Sequence, residues 1–228
     1  MNRATLWMGT IALLAMAAEA HSQVTARSYS DGGVATARAS GVGNVNLHAE
    51  AAASRGARAD ARISGTGLRG GYATGASIAV SDRGRAVSDV HSDARGWGAR
   101  SHVESVAGSI RGVAISRGNA FARGNSQAVS YSTATAHHGT AVSQADADAR
   151  GRRGGSALAE SESVADAYRG TAVSRSRVQA RSDYGGRAVG QGHAMGLGWG
   201  RHANADVRVE SGARFGGRSH ASGSHLDW

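Results

Sequence analysis

Four arginines hold one place in copies of a short repeat. Arg95, Arg123, Arg150 and Arg181 each stand nine positions after a starting alanine. If the units stack as strands ~4.8 Å apart, the four side chains form one row of closely spaced positive charge. Such a row suits a polyanion such as extracellular DNA, lipopolysaccharide or an acidic polysaccharide. Charges at strand ends also block uncontrolled edge pairing, so the row has a second reading that needs no ligand. Other candidates for chemistry are weaker. Asp146 and Asp148 lie two apart and would share a strand face, where paired carboxylates can bind Ca²⁺ or move protons. Neither the EF-hand pattern nor the glycine-rich nonapeptide calcium repeat accompanies them, and with Arg150 beside them they read as a solvated charged face. His137 and His138 are adjacent, and His202, His220 and His225 fall in a Gly/Ser-rich stretch that reads as an exposed polar tail.

The rest of the inventory removes reaction classes. There is no Cys, hence no disulfide, thiolate metal site or cysteine nucleophile. All 26 basic residues are Arg, so a P-loop lysine and a Schiff-base lysine are both excluded. Ser is abundant, but no G-x-S-x-G elbow occurs. The Gly-x-Gly run from Gly190 to Gly200 lacks the strand–loop–helix context of a dinucleotide site. The expectation is a non-enzymatic protein with no cofactor and no metal site.

What would position the arginines is a repeat of small residues. The chain has 228 residues, among them 34 Gly, 46 Ala and 28 Ser, and no Pro. Leu, Ile, Val and Phe total 33, too few for a conventional core and below the ~20% at which a charged chain reads as disordered. Position changes that reading. From Ala86 onward, units start at Ala86, Ala99, Ala114, Ala128, Ala141, Ala157, Ala172, Ala188 and Ala203, a mean period of about 14.6 residues. The consensus is A-[VI]-S-x-[SAG]-x-[AS]-x-A-R-G, and weaker copies occur earlier, at 35–43, 57–63 and 73–81.

Within a unit every second residue is small, as in Ser88, Ser116, Ser143 and Ser174, while the residues between vary freely. Side chains alternate faces along a strand, so this is a β-strand with one uniform face. Gly-rich punctuation such as Arg95-Gly96-Trp97-Gly98 and Tyr184-Gly185-Gly186 marks the turns. The Ala/Ser/Gly face should be buried and the charged face wet. One aliphatic position recurs on the variable face: Val87, Ile115, Val129, Val142, Leu158, Val173 and Val189. Stacking would make these a continuous stripe, either a self-assembly surface or filler at the corner of a thin core.

The fold expected is all-β: a narrow β-solenoid or β-roll of ~15-residue units with an Ala/Ser/Gly interior, one unit suiting one coil. An antiparallel meander, or a chain disordered until assembly, are the alternatives. Stacking of consecutive units would set Glu160 against Arg175 and Glu162 against Arg177. An outer-membrane barrel is rejected because neither face is apolar enough for lipid.

Residues 1–20 read as a secretory signal peptide, with Arg3, an apolar run from Leu6 to Ala17, and Ala18-Glu19-Ala20 before a cleavage point near His21. The expected layout is then a linker over 21–34, the repeat domain over 35–215 and a Gly/Ser/His-rich tail over 216–228. No transmembrane segment is expected in the mature chain. The destination is the exterior or the cell surface, and a periplasmic one is also compatible.

Gly124-Asn125-Ser126-Gln127-Ala128-Val129 and Ala141-Val142-Ser143-Gln144 resemble pieces of curli-type amyloid subunits. Ala-Val-Ser and Ala-Val-Gly within a period near 15 are similar to head repeats of trimeric autotransporter adhesins. These resemblances imply surface adhesion or fibre formation and carry over no individual residue. The leading expectation is a secreted structural or adhesive repeat protein that associates with itself as a homo-oligomer or fibre. A polyanion-binding module is the second, and ice or surface binding a third, weakened because Thr133-Ala134-Thr135 is the sole T-x-T on a strand.

Overall fold

The computed structural model describes residues 22–56, 58–69, 71–153, 155–199 and 202–227, so the expected signal peptide lies outside the described residues. The chain is all-β. Among the described residues fifteen strands follow one another: β1 Ser22–Asp31, β2 Val34–Val42, β3 Val45–Ser54, β4 Arg58–Gly67, β5 Tyr72–Ser81, β6 Arg85–Arg95, β7 Arg100–Ser109, β8 Val113–Gly124, β9 Ser126–His137, β10 Thr140–Gly151, β11 Ala157–Tyr168, β12 Thr171–Ser182, β13 Arg187–Trp199, β14 His202–Ala213 and β15 Arg218–Asp227. Among the described residues no helix is long and apolar enough to cross a membrane.

Odd strands form one eight-stranded sheet in the order β1-β3-β5-β7-β9-β11-β13-β15, here sheet A. Even strands form a seven-stranded sheet, sheet B, running from β2 to β14. Every pairing is parallel, which excludes the meander. The chain is a β-solenoid of about 7 turns. Each coil lays one strand in sheet A, turns, and lays the next in sheet B.

One coil therefore takes two repeat units instead of one. Strands of nine to thirteen residues run without a break, so nothing inside a unit makes a corner, and the chain reverses at the Gly-rich punctuation. Coil length grows along the axis: Ser22 pairs with Val45, whereas Ala157 pairs with Ala188, a step of 31 residues. Two-unit coils also separate the expected charge pairs. Glu160 and Glu162 lie in sheet A, while Arg175 and Arg177 lie in sheet B beside Gln144 and Asp146. Two strands extend the ladder beyond 35–215. β1 falls in the expected linker and β15 in the expected tail, each paired along its length with a neighbour.

The small face is the interior. In β10 the pattern of Thr140–Gly151 alternates half-buried and buried at every step, with Ala141, Ser143, Ala145, Ala147 and Ala149 inside. Among the described residues only Leu47, Val45, Val90, Val103 and Val178 are large, apolar and fully buried. Opposite them the facing sheet carries glycine. A Cβ on Gly75 would meet Val90 and Ile63, one on Gly118 would meet Val103, and one on Gly192 would meet Val178 and Val209. Large-against-absent pairing keeps the two layers at nearly constant separation and fills the gap, as close-packed interiors require.

That separation is short enough for hydroxyls to bridge it. Ser88 Oγ lies 2.9 Å from Ser77 Oγ, Ser105 Oγ 2.8 Å from Ser88 Oγ, and Ser116 Oγ 2.9 Å from Ser105 Oγ. The chain continues through Ser132, Ser143, Ser163 and Ser174 with steps of 2.9 to 3.0 Å. Eight buried serines, four from each sheet, thus form a zigzag along the axis. Ser88, Ser105, Ser116, Ser143 and Ser174 also lie within bonding distance of the carbonyl of the preceding serine. Buried hydroxyls need partners, and here each supplies one to the next.

Candidate functional site

The parallel register brings the four repeat arginines together. Arg95 pairs with Arg123, Arg123 with Arg150 and Arg150 with Arg181, at the end of the outer face of β6, β8, β10 and β12. Strand alternation places Asp93, Phe121, Asp148 and Gln179 on the same face two positions earlier. The acids take up much of the row's charge. Arg95 holds Asp93 at 2.6 Å, Arg150 holds Asp148 at 2.7 Å, and Arg181 lies 3.8 Å from Glu210. Hydrogen bonding to these carboxylates, then their charge, raises the pKa of Arg95 and of Arg150. Arg123, whose neighbour is Phe121, has no ion pair among the described residues.

The aliphatic stripe is split by the two-sheet coil. Val87, Ile115, Val142 and Val173 form one unbroken column on sheet B. Leu158 and Val189 pair with each other on sheet A, and Val129 stands apart between His102 and Glu160. Sheet A carries its own apolar column, Ile78–Val106–Thr133–Val164–Met195, whose members come from positions that the consensus left open. The two sheets also differ in charge. The strands of sheet B hold twelve Arg against seven Asp or Glu, and those of sheet A hold four Arg against seven acids.

A second cationic row runs along the edge where sheet A passes into sheet B. The turns there stack in register: Val113 N–H donates to the Gly84 carbonyl at 2.9 Å, Thr140 N–H to Gly112 at 3.0 Å and Thr171 N–H to Gly139 at 3.0 Å. A Cβ at Gly112, Gly139 or Gly170 would overlap the glycine carbonyl of the coil before, so only glycine fits. The residue before each glycine is Arg83, Arg111, His138 and Arg169. Arg83, His138 and Arg169 adopt left-handed φ near 53°, 63° and 52°. The consensus hid this row because it falls in the turns, outside the alternating segment.

His137 stacks on Tyr168 with ring centroids 4.8 Å apart, and the Arg169 guanidinium sits 5.4 Å over the Tyr168 ring. His138 Nδ1 lies 2.8 Å from His137 Nδ1. Desolvation, then the charges of His137, Arg169 and Arg111, lower the pKa of His138. Among the described residues no three of His, Asp and Glu converge on a metal-sized site. No protein-family model matches the chain, and no curated protein or solved structure matches it.

Proposed function

We propose that the protein is a secreted, non-enzymatic structural or adhesive component that associates with itself by end-to-end stacking of solenoids. The observation that carries this reading is the pair of uncovered sheet ends. Among the described residues nothing lies over the outer edges of β1 and β2 at one end or of β14 and β15 at the other. Both sheets are parallel, so each end offers two rows of backbone N–H and C=O groups that a second copy matches in direction, with the Thr36 N–H of β2 donating to Ser28 Oγ at 3.1 Å. Such a contact is head-to-tail and does not close, which makes it a route to filaments. The axial serine zigzag and the stacked turns are features that a further copy can continue without a new kind of contact.

Sedimentation velocity of the chain over a hundredfold concentration range tests this reading. Concentration-dependent growth to large species is expected. Ala221→Lys places an ammonium on β15 at an inward position by register, and β15 is exposed throughout. That variant should keep its β spectrum and stop growing. A wild-type monomer across the whole range contradicts the proposal, and so does unchanged growth of the variant.

A further inference from the structure

We propose that the turn row Arg83–Arg111–His138–Arg169 is a binding track for an acidic polysaccharide that carries one carboxylate per sugar ring. Three observations support it. First, the row is rigid in spacing. The turn backbones hydrogen-bond coil to coil and the glycines that follow admit no side chain, so successive positions of the row advance by one strand spacing, ~4.8 Å; the fixed cations are Arg83, Arg111 and Arg169, with His138 held below its ordinary pKa between the last two. Sugar rings linked head to tail in an extended polyuronate advance by close to that step. Duplex DNA advances ~3.4 Å along its axis per nucleotide and winds its phosphates around that axis, so they leave a straight row within a few units.

Second, these guanidiniums are available. Among the described residues Arg83, Arg111 and Arg169 form no ion pair, in contrast to Arg95 and Arg150 on the opposite edge. The stacked turns set Arg111, His138 and Arg169 on one strip of surface.

Third, the track has an apolar border. Asp82 precedes Arg83, and Ile110, His137 and Tyr168 precede Arg111, His138 and Arg169; Tyr168 pairs with His137, and both line one hollow with Ile110. Beside them is a shallow hollow of about 320 Å³, lined by Val80, Ile110, Thr135, His137 and Tyr168 among others. Tyr168 is 42% exposed there. Because His137 stacks on Tyr168 and Arg169 lies over its ring, a pyranose would lay its C–H face along the ring edges and Ile110 while its carboxylate reaches the arginines. Asp166 also lines the hollow and would repel a carboxylate placed deep in it, so the acid group must point toward the turns.

The test is binding of polygalacturonate to the full chain, followed by salt titration. Arg83→Gln/Arg111→Gln/Arg169→Gln should weaken binding at least tenfold and lower the log–log salt slope by about 2. Arg95→Gln/Arg123→Gln/Arg150→Gln, on the other edge, should change affinity less than threefold. Each single turn substitution should cost two- to fivefold, so the row remains testable if the triple variant does not fold. Equal losses from the two triple variants would overturn the proposal. Unchanged binding by the turn variants would do the same, as would tighter binding of duplex DNA or of anionic phospholipid vesicles at the same charge concentration. Self-association is read separately by sedimentation, so failure here leaves the end-to-end reading standing.

Discussion

Ser116 Oγ lies 2.9 Å from Ser105 Oγ and 2.6 Å from the Ser105 carbonyl, across the gap between two sheets. Both side chains are buried, and Ser132 Oγ bonds to Ser116 in turn. The interior of this protein is therefore joined by hydrogen bonds along its length as well as filled by methyl groups. Ser116→Ala removes one hydroxyl and leaves two neighbours short of a partner. The expected cost is ~1–3 kcal/mol, measured by denaturant unfolding. Ser116→Val adds bulk where hydroxyls bridge the two sheets and should cost at least as much. A neutral Ser116→Ala would mean that the zigzag does not stabilise the fold.

The stacked turns predict a sharp contrast between two glycines. Gly139→Ala places a methyl against the Gly112 carbonyl and forces adjacent coils apart. It should cost at least ~3 kcal/mol. Gly212→Ala, where an added Cβ meets nothing within 4 Å, should stay within about 0.5 kcal/mol of wild type. Thermal unfolding of the two variants distinguishes them.

Much of this was legible in the sequence. Alternating Ala and Ser named the buried face, and equal offsets in the units named the row from Arg95 to Arg181. The number of units per coil was not legible, because strands of both sheets carry nearly the same consensus and one period cannot tell one unit per coil from two. The stripe failed for a related reason. Ala128 pairs with Ala159 and not with the unit start Ala157, so Val129 and Leu158 fall in different columns. Arg83, Arg111, His138 and Arg169 lie outside the alternating segments, and their alignment comes from turn stacking at spacings that vary with coil length. The serine zigzag needs two opposed sheets, which no single strand reveals.

Coil connectivity has a direct chemical test in a chain without cysteine. Gln144 and Arg175 are register partners on adjacent strands. Parallel partners stand ~4.8 Å apart, within the 4.4–6.8 Å range that a disulfide spans. Gln144→Cys/Arg175→Cys should oxidise to an intramolecular disulfide, whereas Glu160→Cys/Arg175→Cys, in different sheets, should stay reduced. The opposite outcome would restore the one-unit coil.

Asp146 predicts a pH effect. Burial raises its pKa, against the hydrogen bond from Gln144 and the charge of Arg177. The folded state thus holds this proton more tightly than the unfolded chain, and the group's contribution to stability declines as pH rises through the raised pKa. Asp146→Asn keeps the shape without the ionisation. It should melt higher than wild type at pH 7, and the difference should shrink as pH falls through the carboxylate range. A lower melting temperature at pH 7 would show that Arg177 outweighs burial.

The central claim is that solenoids join end to end through their open sheet edges, and fibre diffraction from concentrated chain tests it most directly. The account predicts filaments with a meridional reflection near ~4.8 Å, the strand spacing running along the filament axis. A solution that stays monomeric at every concentration, or filaments with that reflection perpendicular to their axis, would contradict it.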